Sequence, residues 1–358
     1  MGKFAEAVIS TKFLTVVIAV ALTVMFAFEF AADRRVEKAE RETYKLGTVV
    51  HITVYGADKA KLVKELDAAV AEISRYENLF SVNIASSEIS KINADAARKT
   101  NVGGETAAII SDALRMARET GGAFDPTIEP IVKLWAIGTD HPRVPGAGEI
   151  KKYLPYVDYR KISVNGEAVS KGAGQKIDLG GIAKGWIADR LAEKLRAAGV
   201  RSALIDLGGN ISVVGKSPER RAWRLGLQRP SRPRGEYFAV VSAEDSSVVT
   251  SGPYERFFEK DGVTYHHIFD PKTGRPANSD LASVSIVSKN SAEADALCTA
   301  LFVMGREAAE KFLLAHGDIR CAIVTKDLKK VYVTKNLMNG ITLEDKTMTL
   351  ETVGGAKD

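Results

Sequence analysis

The chain has 358 residues, 45% hydrophobic and 27% charged, a balance typical of globular proteins and a length that can bury a sizeable core. Fifty lysines and arginines against 45 aspartates and glutamates leave a net charge of +5. The basic residues are scattered rather than gathered into a stripe with interleaved aromatics, which argues against nucleic-acid binding. The two cysteines, Cys298 and Cys321, do not make a disulfide framework.

The first element is an apolar run of sixteen residues, Phe13 to Phe28, with Lys3 and Lys12 before it and Glu29, Asp33, Arg34 and Arg35 after it. It is a little shorter than the roughly 20 residues that span a bilayer and longer than the about 7 to 15 of a signal core. Ala19-Val20-Ala21 fits a small-x-small cleavage site, but would leave a very short core, and no good site follows Phe28. Residues 1–35 are therefore expected to be an uncleaved anchor rather than a removed signal peptide, holding the rest at the membrane on its extracytoplasmic side. Arg34 to Arg41 mixes charges and reads as a juxtamembrane helix or linker, residues 36–42.

Beyond it, Thr48 to Tyr55 alternates as a strand does, and Asp58 to Phe80 carries Leu62, Leu66, Ala69, Ile73 and Phe80 at helical spacing. A helix over about Glu105 to Thr120 stops at Gly121-Gly122, and Gly138 to Gly148 reads as a loop or lobe boundary. A helix from Trp186 to Ala198 stops at Gly199. Mostly strands follow: Ser202 to Asp206, Ile211 to Val214, Trp223 to Gln228, Tyr237 to Ala243, Val263 to Asp270 and Leu281 to Val287, with Arg229 to Gly235 an exposed hairpin loop. Helices over 292–304 and 306–316, parted by Gly305, and strands Cys321 to Thr325 and Lys330 to Thr334 complete a body running to residue 340, with 341–358 as a tail. Strand runs with interspersed helices make this an α+β fold.

Three segments carry chemistry. His266-His267-Ile268-Phe269-Asp270-Pro271-Lys272-Thr273-Gly274 sets imidazole and carboxylate at a strand end closed by a proline-glycine turn. Adjacent residues on a strand face opposite ways, so one histidine serves the site and the other is structural. Asp295 and Thr299, four apart on a helix that Ser291 is expected to cap, lie on one face near its positive end. Two such oxygens suit a hard cation such as magnesium. The competing reading is dipole complementation by Asp295 and a back-bond from Thr299 to a carbonyl. Ile177 to Gly185, Ile-Asp-Leu-Gly-Gly-Ile-Ala-Lys-Gly, leads from an apolar strand into a helix and lacks both the G-x-G-x-x-G fingerprint and the Walker A spacing.

Taken in order, Asp-Leu-Gly-Gly-Ile-Ala-Lys-Gly at 178–185, Asp-Leu-Gly-Gly-Asn at 206–210, Thr250-Ser251-Gly252, His-Ile-Phe-Asp-Pro-x-Thr-Gly at 267–274 and Ala294-Asp295-Ala296-Leu297-x-Thr299 resemble the ApbE family of FAD:protein FMN transferases. The resemblance extends upstream through Leu46-Gly47-Thr48, Phe80-Ser81, Ser87 to Asn93 and Gly122 to Thr127, and so covers roughly 43–335. It implies one catalytic domain of mixed or antiparallel sheets with packed helices over 43–340. It also implies a magnesium-dependent enzyme that splits FAD at its pyrophosphate, releases AMP and esterifies FMN onto a threonine of an acceptor protein, here a membrane or exported redox protein.

By residue, the resemblance makes Asp295 and Thr299 metal-binding side chains, joined by the backbone carbonyl of Gly181. It makes His267 the general base. Leu46, Val82, Ala123, Phe124, Asp125, Asp178, Lys184 and Phe269 become FAD-binding positions, with Lys184 neutralising phosphate charge. Two departures stand out: Val82, where some members offer a tyrosine that stacks on the flavin, and Cys298, where others have a polar residue between the metal-binding positions. Two further readings accompany transfer. One is hydrolysis of FAD to FMN and AMP; the other is a non-enzymatic flavin carrier.

Overall fold

A computed structural model describes residues 36–96, 99–233 and 235–355. The expected anchor lies outside these residues; among the described residues, no helix is long and apolar enough to cross a membrane. The frame is a nine-stranded sheet whose spatial order follows the chain: β1 (Glu37–Lys45), β2 (Thr48–Gly56), β3 (Ser202–Asp206), β4 (Asn210–Gly215), β5 (Ser247–Ser251), β6 (Leu281–Ser288), β7 (Arg320–Thr325), β8 (Lys330–Val333) and β9 (Thr349–Thr352). Every neighbouring pair is antiparallel except β8 and β9.

The sheet is buried on both faces, which explains why central strands such as β6, Leu-Ala-Ser-Val-Ser-Ile-Val-Ser, show no polar face. A register shift between Leu281 and Ser283 reverses the pleat, so Leu281 joins Val284 and Ile286 on the helix side while Ala282 and Val287 face the other core. On the helix side, α1 (Lys59–Phe80), α6 (Ala183–Ala197) and α7 (Ser291–Ala315) bury Leu66, Ile73, Ile187, Leu191, Leu297 and Leu301 in one core with sheet residues such as Val50, Ile52, Val54, Val284 and Ile286. A three-stranded sheet, Trp223–Gln228, Tyr237–Ala243 and Ile341–Leu343, covers the opposite face through Leu225, Phe238 and Val241. The short helix α2 (Glu88–Ala94) and the longer α3 (Gly104–Glu119) complete the main body. Helices α4 (Glu129–Trp135) and α5 (Ala147–Tyr153) form a smaller lobe in which Ile131, Trp135 and Ile150 pack on Phe269.

The α+β expectation holds, as do the break in α7 at Gly305, whose φ of 73° no ordinary helical residue adopts, and the hairpin between Gln228 and Tyr237. Four local expectations do not hold. Residues 37–45 are a sheet strand, not a linker or helix: their alternating Glu and Lys/Arg side chains face solvent along a sheet edge. The expected tail of 341–358 is, over its described residues 341–355, part of the fold: 341–343 pairs with 239–241 and β9 pairs with β8. The helix cap is Asn290, whose side chain accepts from the Glu293 amide, and Ser291 is the first helical residue. The run Val263 to Asp270 is broken: 263–266 pairs with Phe257–Lys260, 269–270 pairs with 275–276, and His267-Ile268 lies between them.

Candidate active site

The glycine-rich segment and the first turns of α7 meet because α6 and α7 approach at Gly185. A Cβ there would sit 2.1 Å from the Ser291 carbonyl oxygen, so no larger residue fits without parting the helices. Asp189, one turn further along α6, accepts from the Ser291 and Ala292 amides at 3.0 Å each and so satisfies buried amides at the start of α7 that have no partner within the helix. With the helices so fixed, the Gly185 amide donates to Asp295 Oδ2 at 3.0 Å, and Lys184 Nζ stands 3.8 Å from Asp295 Oδ1. Asp295 is 3% exposed.

Gly181 lies against the same place. A Cβ on it would come within 3.0 Å of the Phe124 ring and 3.6 Å of Thr299 Oγ1. Thr299 donates its hydroxyl hydrogen to the Asp295 carbonyl at 3.3 Å, which leaves the oxygen's lone pairs for another partner. Gly181, Lys184, Asp295 and Thr299 therefore form one cluster, with Phe124 as its apolar wall. Cys298 does not enter it: the thiol is buried and donates to the Val249 carbonyl on the sheet side, as a small core residue would. Among the described residues there is no cluster of three His, Cys, Asp or Glu side chains suited to a metal.

The two histidines are separated by their partners. His266 Nε2 donates to the Ala277 carbonyl at 3.1 Å, its Nδ1 accepts from the Ile268 amide at 3.3 Å, and its ring stands edge-on to Phe302, so both nitrogens are engaged within the fold. His267 has its amide and its Nδ1 both directed at the Arg256 carbonyl, each at 3.1 Å. A carbonyl only accepts, so Nδ1 carries the hydrogen and Nε2 bears the lone pair. Burial, then the Arg256 and Lys184 cations, push the imidazole down to about 3, so it is neutral at physiological pH. Lys184, 3.8 Å from Asp295, is also among the cations that hold the His267 imidazole low.

Asp178 enters the cleft through two anchors. Its amide donates to the Pro126 carbonyl at 2.8 Å, and the preceding Ile177 exchanges two hydrogen bonds with the Asn93 side chain. Burial raises the Asp178 carboxyl, against the opposing influences of the Gly180 amide and Arg256. The Asp125 carboxylate accepts from the Thr127 amide and hydroxyl and from the Tyr159 amide, latching the turn that presents Ala123 and Phe124. Burial raises this carboxyl too.

Phe269 packs on Trp135 in the smaller lobe, where the Trp135 indole donates to the Gly274 carbonyl and steadies the Asp-Pro-x-Thr-Gly turn. Val82 lies in the α1–α2 connection against the main core, its carbonyl held by Ser90. Leu46, at φ 55° in the β1–β2 turn, receives Glu77 at its amide and Arg256 at its carbonyl. Arg256 and Asp189 are the two site-building residues that motif spacing missed. Arg256 is hidden between the Thr-Ser-Gly and histidine motifs, and only the hairpin 257–266 folds it back onto His267.

The model of the ApbE family matches residues 46–323. The chain is similar to the FAD:protein FMN transferase of Treponema pallidum, 37% identical over a 339-residue alignment that covers 88% of this chain and 92% of that protein. It is also similar to a FAD:protein FMN transferase of Klebsiella pneumoniae, 35% identical over 79% of this chain and 87% of that one. Among solved structures, the ApbE protein of Thermotoga maritima superposes with a TM-score of 0.79 at 31% identity, over 84% of this chain and 98% of that one. The flavin transferase ApbE from Vibrio cholerae gives 0.76 at 27%, over 86% and 100%. With the ordered motifs, the cleft they build and these likenesses agreeing, the chain belongs to the ApbE family.

Proposed function

We propose that this chain is an FAD:protein FMN transferase that moves FMN from FAD to a threonine of an acceptor protein. In this step the threonine oxygen forms a bond to the FMN phosphorus, the pyrophosphate P–O bond to AMP breaks, and AMP leaves. The hydroxyl proton passes to His267 Nε2 and from there to solvent. The observation that carries this reading is the neutral His267, its tautomer set by the Arg256 carbonyl, in one cleft with Lys184 and the buried Asp295. Burial, then Arg256 and Lys184, hold the imidazole low; an anionic pyrophosphate offsets both cations and raises its basicity as substrate binds.

The cluster also fits magnesium. Its donors are all oxygen, Asp295 is buried with one amide and one lysine as its neighbours, and the Thr299 hydroxyl keeps free lone pairs. Asp295, Thr299 and the Gly181 carbonyl would hold the ion, and so few protein ligands suit a cation that takes the rest from water and phosphate. When bound, magnesium supplies charge neutralisation for the pyrophosphate and the departing AMP. The chain's own contribution is to aim the base, place Lys184 at the phosphates and wall the cleft with Phe124.

AMP release from FAD by the purified chain, with and without magnesium and a threonine-bearing acceptor, tests the reading. The wild type releases AMP only with magnesium, and His267→Gln loses about 100- to 10,000-fold in acceptor labelling, as removal of a general base does. Undiminished labelling by His267→Gln would sink the proposal, and AMP with free FMN but no labelled acceptor would make the chain a hydrolase.

A further inference from the structure

Arg256 holds no metal and passes no proton, yet it reaches three parts of the cleft. Its carbonyl orients His267, its Nη2 donates to the Gly47 carbonyl at 3.0 Å and the Leu46 carbonyl at 3.5 Å, and its Cδ lies beside Gly138. Its charge also opposes the burial that raises the Asp178 carboxyl. Among the described residues its Nε and Nη1 donate to nothing, and no carboxylate pairs with it. A planar fork with one corner tied to backbone and three N–H bonds unengaged is the form in which arginine grips a phosphate; a lysine would offer only a point charge.

We propose that Arg256 is the second cation of the pyrophosphate site, its free guanidinium edge receiving a phosphate oxygen of FAD alongside Lys184 while its carbonyl and Nη2 hold His267 and the Leu46-Gly47 turn. The proposal rests on the flavin-transfer reading. It makes Arg256 a substrate-binding residue that couples anion binding to the position of the base. A tether that only steadied the turn would serve any flavin equally; a phosphate clamp discriminates by the pyrophosphate.

Equilibrium binding followed by flavin fluorescence, using full-length wild type, Arg256→Lys and Arg256→Gln, separates the two. The clamp predicts that Arg256→Gln weakens FAD by about 10- to 100-fold more than riboflavin, as expected for loss of a charge-assisted hydrogen bond, with Arg256→Lys in between. Equal weakening of both flavins, or of neither, overturns it. The charged groups facing His267 are Arg256, Lys184 and His266. Deleting the first cation moves the acid limb of kcat/KM to higher pH, and an unmoved limb counts against the proposal. Should Arg256→Gln fail to fold, wild-type protein treated with phenylglyoxal decides: inorganic pyrophosphate with magnesium shields Arg256 in the clamp account, and unchanged modification overturns it. Wild type that neither binds FAD nor labels an acceptor refutes flavin transfer itself, while the pyrophosphate shielding still reports on Arg256 alone.

Discussion

At the scale of single residues, the chemistry depends on which nitrogen of His267 carries its hydrogen, and a backbone carbonyl settles that. The same burial and neighbouring cations have a consequence for stability. His267 ordinarily titrates near 6.5 but is held near 3 in the fold, so between these values the unfolded chain binds a proton that the native chain refuses. Stability contributed by this residue is full above about 6.5 and falls as pH drops towards 3. His267→Gln removes that proton uptake, and its melting temperature is predicted to fall less than the wild type's between pH 7.5 and 5; an equal fall in both would contradict the account. Proximity was legible in the sequence where motifs supplied the residues: Gly181, Lys184, Asp295 and Thr299 form one cluster. Asp125 shows the boundary: its three hydrogen bonds also latch the turn, and those partners, residues 127 and 159, could not be read from the motif.

At the scale of elements, the site is the product of one helix contact. Gly185→Ala puts a methyl group 2.1 Å from the Ser291 carbonyl oxygen, against backbone that cannot rotate away. It is predicted to destabilise the protein by more than about 3 kcal/mol, measured by chemical denaturation, since overpacking against rigid backbone exceeds the usual side-chain range. A loss below about 1 kcal/mol would mean that α6 and α7 can separate without cost. Long amphipathic elements, α1 and α3 among them, could be read from their periodicity because one face meets the core over several turns. The short helices α2, α4 and α5 could not, since seven residues show barely two turns of pattern. The break at His267 was invisible for another reason: alternation continues through residues 263–270, while the pairing partner changes from 257–260 to 275–276.

At the scale of the whole molecule, the sheet does more than support helices. It carries β1 and β2, whose connecting turn meets Arg256, and β6 leads to α7 with its metal-binding candidates, so distant sequence motifs close on one cleft. The ordered motifs made that convergence foreseeable, whereas the edge strand β1 was disguised by its charges and the closing strand β9 by its short length. From the apolar run at 13–28 we propose that this body is anchored at a membrane with the cleft on the extracytoplasmic side, where the acceptor would be a membrane or exported redox protein. The central claim concerns what the cleft delivers. The most direct measurement is tandem mass spectrometry of an acceptor protein after incubation with the full chain, FAD and magnesium. The account predicts a mass gain of one FMN, joined through phosphate to a threonine side chain, and none with Asp295→Asn. An acceptor that stays unmodified while wild-type chain consumes FAD, or one that gains the flavin equally from Asp295→Asn, would contradict it.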